Sequence, residues 1–165
     1  MRLSQIAISV ADLRRAQRWY HEVLGLEPAG GTNLFAGPLA SMVQGVPRSA
    51  STCWWLVDRQ DLFQIELFEF RSPLVRSLPR DWRPCDIGYT TISFWVADLD
   101  QTLERAAAAG SPPLSAPVGE SGGRRACVRD PDGVLIELME EDPRAPQPRV
   151  RPRAGEGAVA RSVTL

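Results

Sequence analysis

The chain has 165 residues, 19 basic and 20 acidic side chains and a formal net charge of −1. That length suits one compact domain or two small modules sharing a core, and the charge balance gives no electrostatic case for nucleic acid or an anionic membrane. All the basic residues counted there are arginine, so lysine Schiff-base chemistry and the P-loop lysine are excluded.

Residues 3–10 read as a strand with Ile6, Ile8 and Val10 on one face. Asp12 can cap a helix over 13–24, whose apolar positions Leu13, Ala16, Tyr20 and Leu24 keep helical spacing before Gly25 ends it. A weaker strand is expected at 27–35, then a long loop of Gly, Pro and Ser to residue 51, then strands at 52–57 and 62–70. After three prolines between 71 and 87, the order repeats. A strand at 89–96 leads to Asp98 with Gln101 at the capping-box position, and the helix behind it stops at Gly110. Two strands are expected within 113–130 and one at 134–140, after the turn Asp130-Pro131-Asp132-Gly133.

The repetition extends to residue identity. Val-Ala-Asp-Leu occurs at 10–13 and at 96–99, and Ile-Glu-Leu occurs at 65–67 and at 136–138. Two echoes in the same order imply an internal duplication of a β-α-β-β-β unit. The expected fold class is therefore α+β, with two tandem βαβββ modules forming a curved, cleft-enclosing mixed sheet. The modules are expected at 1–70 and 88–141, joined by a linker at 71–87 into one domain. A Pro/Arg-rich tail follows at 142–165, with five Arg against two acids.

Strand alternation assigns the face turned away from the helices. It carries Gln5, Thr91, Ser93, Trp95, Gln64, Glu66, Phe68, Glu137 and Met139, and one of Trp54 and Trp55, of which Trp54 is taken. Such a mixture of aromatic, small and polar residues suits a cleft better than a solvated sheet. Two carboxylates brought together there repel, and need a cation between them, a nearby Arg, or a retained proton. Cys53, Cys85 and Cys127 form no C-x-x-C, which points to reduced thiols. The N-terminal segment is too short in apolar residues for a signal peptide, and no stretch approaches the ~20 a membrane helix needs. A soluble, cytoplasmic protein with no membrane or nucleic-acid partner is expected.

The paired units, the two Val-Ala-Asp-Leu quartets, Tyr20 with Leu24-Gly25-Leu26, and the ending Asp130-Pro131-Asp132-Gly133 with Ile136-Glu137-Leu138 resemble the vicinal oxygen chelate superfamily over residues 1–141. That superfamily includes glyoxalase I, methylmalonyl-CoA epimerase, fosfomycin-resistance enzymes, extradiol dioxygenases and bleomycin-binding proteins. The resemblance implies metal ligands on the first and last strand of each unit. Here those positions hold Gln5, Glu66, Thr91 and Glu137, with Thr91 at best a weak ligand and Gln5 and Thr91 standing where the family usually has His. An all-oxygen set favours Mg²⁺ or Mn²⁺ over Zn²⁺ or Ni²⁺. His21, the only histidine, reads as a surface helix residue.

Two functions follow from the resemblance. In the first, a metal on Glu66, Glu137 and Gln5 chelates an α-hydroxy carbonyl substrate and stabilises its enediolate, with Glu137 or Glu66 carrying the proton, as in an isomerase, epimerase or lyase. In the second, the cleft binds a planar natural product without metal, as a resistance-type binder or cyclase-like protein. Its contacts would then come from Trp95, Trp54, Phe68, Ser93, Met139 and Gln64. The resemblance also implies a homodimer acting on a small-molecule ligand.

Overall fold

The repeated Val-Ala-Asp-Leu quartet is the end of a strand joined to a helix cap, and it does the same work twice. In a computed structural model that describes residues 4–58, 64–79 and 81–144, strand β1 (Gln5–Ser9) leads to Asp12. The Asp12 carboxylate accepts the backbone N–H of Arg15 at 2.8 Å and opens helix α1 (Leu13–Leu24). Strand β5 (Ile92–Val96) leads likewise to Asp98, which accepts from the Gln101 N–H at 2.9 Å and opens helix α3 (Leu99–Ala108). Each cap satisfies a backbone donor that the first helical turn leaves without a partner.

Behind α1 come β2 (Glu27–Ala36), α2 (Pro38–Gln44), β3 (Ala50–Val57) and β4 (Gln64–Ser72). These and β1 form a four-stranded mixed sheet in the order β1-β4-β3-β2, with β1 parallel to β4. Behind α3, β6 (Arg125–Arg129) and β7 (Leu135–Glu140) join β5 in a three-stranded sheet ordered β5-β7-β6, with β5 parallel to β7. The duplication is visible in the register: Ala7 lies opposite Glu66 and Ser93 opposite Glu137. The α+β class stands, and the sheet is two separate mixed sheets rather than one continuous surface.

Two expected elements differ. The loop to residue 51 contains α2, started by Pro38 at its first turn and ended by Gly45 in the left-handed conformation, a pairing that suits a short helix. In the second unit only one strand, β6, forms within 113–130, and the other is reduced to a single bridge between Val118 and Arg125. Pro112, Pro113 and Pro117 remove three of the backbone donors a second strand would need. The expected strand at 62–70 begins outside the described residues, and the expected tail at 142–165 lies outside them from residue 145 onward.

Both helices pack on the same side of their sheets and against each other, so one core runs through both units. Trp19, Tyr20 and Val23 of α1 meet Leu99, Leu103 and Ala106 of α3, over Leu67, Ile136 and Leu138. Three polar contacts cross the junction: Trp19 Nε1 donates to Ser111 Oγ at 2.9 Å, Tyr20 OH to Asp130 Oδ2 at 3.0 Å, and Arg15 pairs with Asp132 at 2.7 Å. Burial, then the Asp130 charge, pushes the Tyr20 hydroxyl well above its ordinary range, so it stays a donor. No described helix is long and apolar enough to cross a membrane.

Candidate functional site

The face turned away from the helices carries two carboxylate networks, one per sheet. In the first, Glu66 is buried, and the Gln5 side-chain amide donates to its Oε2. The indole Nε1 of Trp55 donates to its Oε1 at 2.9 Å. Gln64 Nε2 in turn donates to Gln5 Oε1 at 2.7 Å, which fixes the orientation of the Gln5 amide. Phe68 stacks on Phe70 beside this network, with ring centroids 5.9 Å apart. The Cys53 thiol is pushed up chiefly by burial, with the Glu66 carboxylate adding to the effect.

In the second network, Ser93 Oγ donates to Glu137 Oε2 at 2.5 Å, and an Arg125 guanidinium N–H lies 3.4 Å from Glu137 Oε1. Cys127 stands opposite Glu137 in the register, and its thiol is raised by burial and then by the Glu137 charge. Trp95 and Met139 lie opposite each other on the neighbouring row, with Trp95 41% exposed. On the far side of the sheet, Arg124 binds Glu140 at 2.6 Å and Asp100 at 3.0 Å. The Arg124 contact holds the Glu140 carboxyl down at about 2 and pins the start of β6.

Not every expected residue stands where alternation put it. Trp54 lies opposite Leu67 on the helix side, packs against the core, and carries the Arg14 guanidinium over its ring at 5.9 Å. The tryptophan that reaches Glu66 is Trp55. Strand β3 is apolar on both faces over Cys53–Val57, so its own pattern has no parity to read. Thr91 Oγ donates to the Leu135 carbonyl at 3.2 Å, so its hydroxyl proton is committed to the backbone. His21 bonds the Leu26 carbonyl at 3.0 Å from a half-exposed position on α1. Arg125 was not among the expected residues. Its signal was the alternation Arg125-Ala126-Cys127-Val128-Arg129, with Ala126 and Val128 inward.

These donors test the metal set. A carboxylate that binds a divalent cation turns its lone pairs to the ion, and the bound ion repels nearby cations. Glu66 instead receives an N–H on each oxygen, one from an indole that cannot ligate a metal. Gln5 presents its N–H₂ to Glu66, and its oxygen already accepts from Gln64. Glu137 has a guanidinium beside it. The set Gln5, Glu66, Glu137 and Thr91 does not fit a divalent metal.

A cavity of about 410 Å³ lies along the unpaired edges of β1 and β5, with Trp82 and Leu78 in its wall. It is bordered by Ala7, Ser9 and Thr91, but neither carboxylate lines it. The carboxylate networks and this cavity are therefore neighbours rather than one site.

Residues 4–128 match the model of the Glyoxalase/Bleomycin resistance protein/Dioxygenase superfamily, and the chain belongs to that family. Among solved structures, a glyoxalase family protein from Bacillus cereus is 26% identical over 86% of this chain and 94% of its own, with a TM-score of 0.78. The trypanothione-dependent glyoxalase I of Leishmania major is 23% identical over 86% of this chain and 87% of its own, with a TM-score of 0.61. The fosfomycin resistance protein FosX of Listeria monocytogenes, solved with Mn(II) and a dihydroxypropylphosphonic acid, is 20% identical over 83% and 87%, with a TM-score of 0.55. The last two likenesses define the fold alone. No curated protein matches the chain in sequence.

Proposed function

We propose that this chain binds a small organic molecule on the outer faces of its sheets without a metal ion, as a metal-free binding member of its family. The observation that carries this reading is the donor set of the carboxylates: Glu66 is held by Gln5 and Trp55, and Glu137 by Ser93 and Arg125. The exposed Trp95 ring, Met139 and the Phe68–Phe70 stack supply flat apolar surface for a planar ligand. Metal-assisted proton transfer, the chemistry expected of an isomerase or lyase in this family, is the reading this donor set does not fit.

The test is calorimetric titration of metal-stripped protein with Mg²⁺, Mn²⁺, Ni²⁺ and Zn²⁺. The expected result is no micromolar binding by any of the four. Micromolar binding that disappears in both Glu66→Gln and Glu137→Gln would overturn the proposal and restore a chelate site.

The protein is also proposed to be a homodimer. Leu39, Met42 and Val43 on α2, and Leu74, Ile87 and Tyr89 after β4, are all exposed. A second copy of the chain would cover apolar side chains of this kind. Light scattering is expected to give twice the chain mass, and a mass of 18.2 kDa would refute the dimer.

A further inference from the structure

The outer face of the second sheet is a small grid whose rows have unlike chemistry. One row runs Trp95, Met139, Arg125 across β5, β7 and β6, and the adjacent row runs Ser93, Glu137, Cys127. Neighbouring strands lie roughly 4.8 Å apart, so Trp95 and Arg125 stand about 10 Å apart at their backbones. That is the span of an aromatic ring joined to a short acid. Arg125 is held at its backbone on both sides. Its N–H donates to the Val118 carbonyl at 2.8 Å, its carbonyl accepts from Val118 at 2.9 Å, and Met139 lies opposite it in the ladder. Its side chain is 45% exposed, and its contact with Glu137 at 3.4 Å occupies one of the five N–H donors a guanidinium carries.

Among the described residues, the neighbouring arginines Arg124 and Arg129 have partners of their own. Arg129, on the same face, donates to the Gly133 carbonyl at 2.8 Å and lies over the Trp82 ring at 5.6 Å. Arg124 is bound to Asp100 and Glu140 on the opposite face. Arg125 therefore has open N–H groups in a planar fork, beside a carboxylate acceptor and at the end of an aromatic and thioether row.

Resting on the metal-free reading above, we infer that Arg125 takes the place of the metal charge and that the ligand is an aromatic 2-hydroxy acid. The ligand carboxylate lies on the Arg125 fork, its hydroxyl donates to Glu137, and its ring covers Met139 and Trp95. A carboxylate alone would meet repulsion from Glu137; a neighbouring hydroxyl turns that contact into a hydrogen bond. An uncharged amide would leave the guanidinium without an anion.

The probes are mandelate and mandelamide, titrated calorimetrically into the full chain in EDTA at low salt. Mandelate is expected to bind about tenfold more tightly than mandelamide, the scale of one charge-assisted contact. Arg125→Gln removes that preference by weakening mandelate more than mandelamide, and Arg125→Lys restores part of it. Equal binding of the two probes by the wild-type chain, or an unchanged preference in Arg125→Gln, overturns the anchor alone. Mandelate binding that vanishes in EDTA and returns with Mn²⁺ overturns both the anchor and the metal-free reading. Absence of binding by either probe, with or without Mn²⁺, overturns the choice of ligand and leaves the metal titration to judge the reading beneath it.

Discussion

Replacing Trp19 by alanine lowers the stability of the chain by about 3–5 kcal/mol, the cost of emptying a buried aromatic site. Few changes should do more damage, because such a loss is a large share of the ~5–15 kcal/mol that holds a domain of this kind together. Trp19 is 3% exposed, packs edge-on against Tyr20 with centroids 5.0 Å apart, and donates its indole N–H to Ser111 in the second unit. Removal leaves a void at the junction of α1 and α3 and a buried Ser111 hydroxyl without its donor. Urea unfolding measures the loss, and Trp19→Phe separates its parts. The phenylalanine refills much of the volume but not the hydrogen bond, so it should fall between wild type and alanine. A Trp19→Ala chain within about 1 kcal/mol of wild type, well below the usual cost of a buried void, would show that the units do not depend on this contact.

Asp130→Ala is expected to cost about 3 kcal/mol or more, because it strands several donors at once. Asp130 Oδ1 accepts the backbone N–H groups of Asp132 and Val134 at 2.9 and 2.8 Å, and Oδ2 accepts the Tyr20 hydroxyl. Alanine satisfies none of these, and the turn of residues 130–133 loses what closes it. Asparagine keeps an acceptor for the two backbone donors and should retain most of the stability. The two variants also differ from wild type in pH dependence. Burial raises the Asp130 carboxyl above its ordinary value of 3.8, against the pull of the Val134 and Asp132 N–H groups. A carboxyl raised on folding binds its proton more readily in the folded state. Its titration thus contributes stability that is full below pH 3.8 and is lost as the pH rises through the folded value. Neither variant can titrate, so both should lack this term in thermal melts taken from acid to neutral pH. An Asp130→Ala chain as stable as Asp130→Asn would remove the turn from the account.

The sequence discloses most of this fold because duplication supplies a second reading of each signal. Asp12 and Asp98 could each be an incidental aspartate; two in the same quartet, each after alternating apolar residues, are caps. The same logic located Glu66 and Glu137, which sit at equivalent register positions. It failed where the copies diverge. The helix α2 has no counterpart in the second unit, and its seven residues between Gly37 and Gly45, with Pro38 at their start, read as a loop. The missing fourth strand of the second sheet was masked by apolar residues between its prolines. The site was only partly legible. Which residues line the outer face followed from period-two alternation, but Trp55 rather than Trp54 depends on a register that two apolar faces do not specify. The metal question turned on hydrogen-bond direction. Gln5 as a ligand and Gln5 as a donor to Glu66 are one residue in the sequence and opposite chemistries in the fold.

The common core has a bearing on how such a chain can change. A duplicated gene segment normally releases one copy to drift while the other keeps the original task. Here α1 and α3 fill each other's contact surface, so an altered side chain in one repeat must be answered in the other. The helical sides of the two repeats are coupled through this packing, whereas their outer faces are not. Substitutions on the outer faces meet no such constraint, and it is there that the surroundings of Glu66 and Glu137 differ.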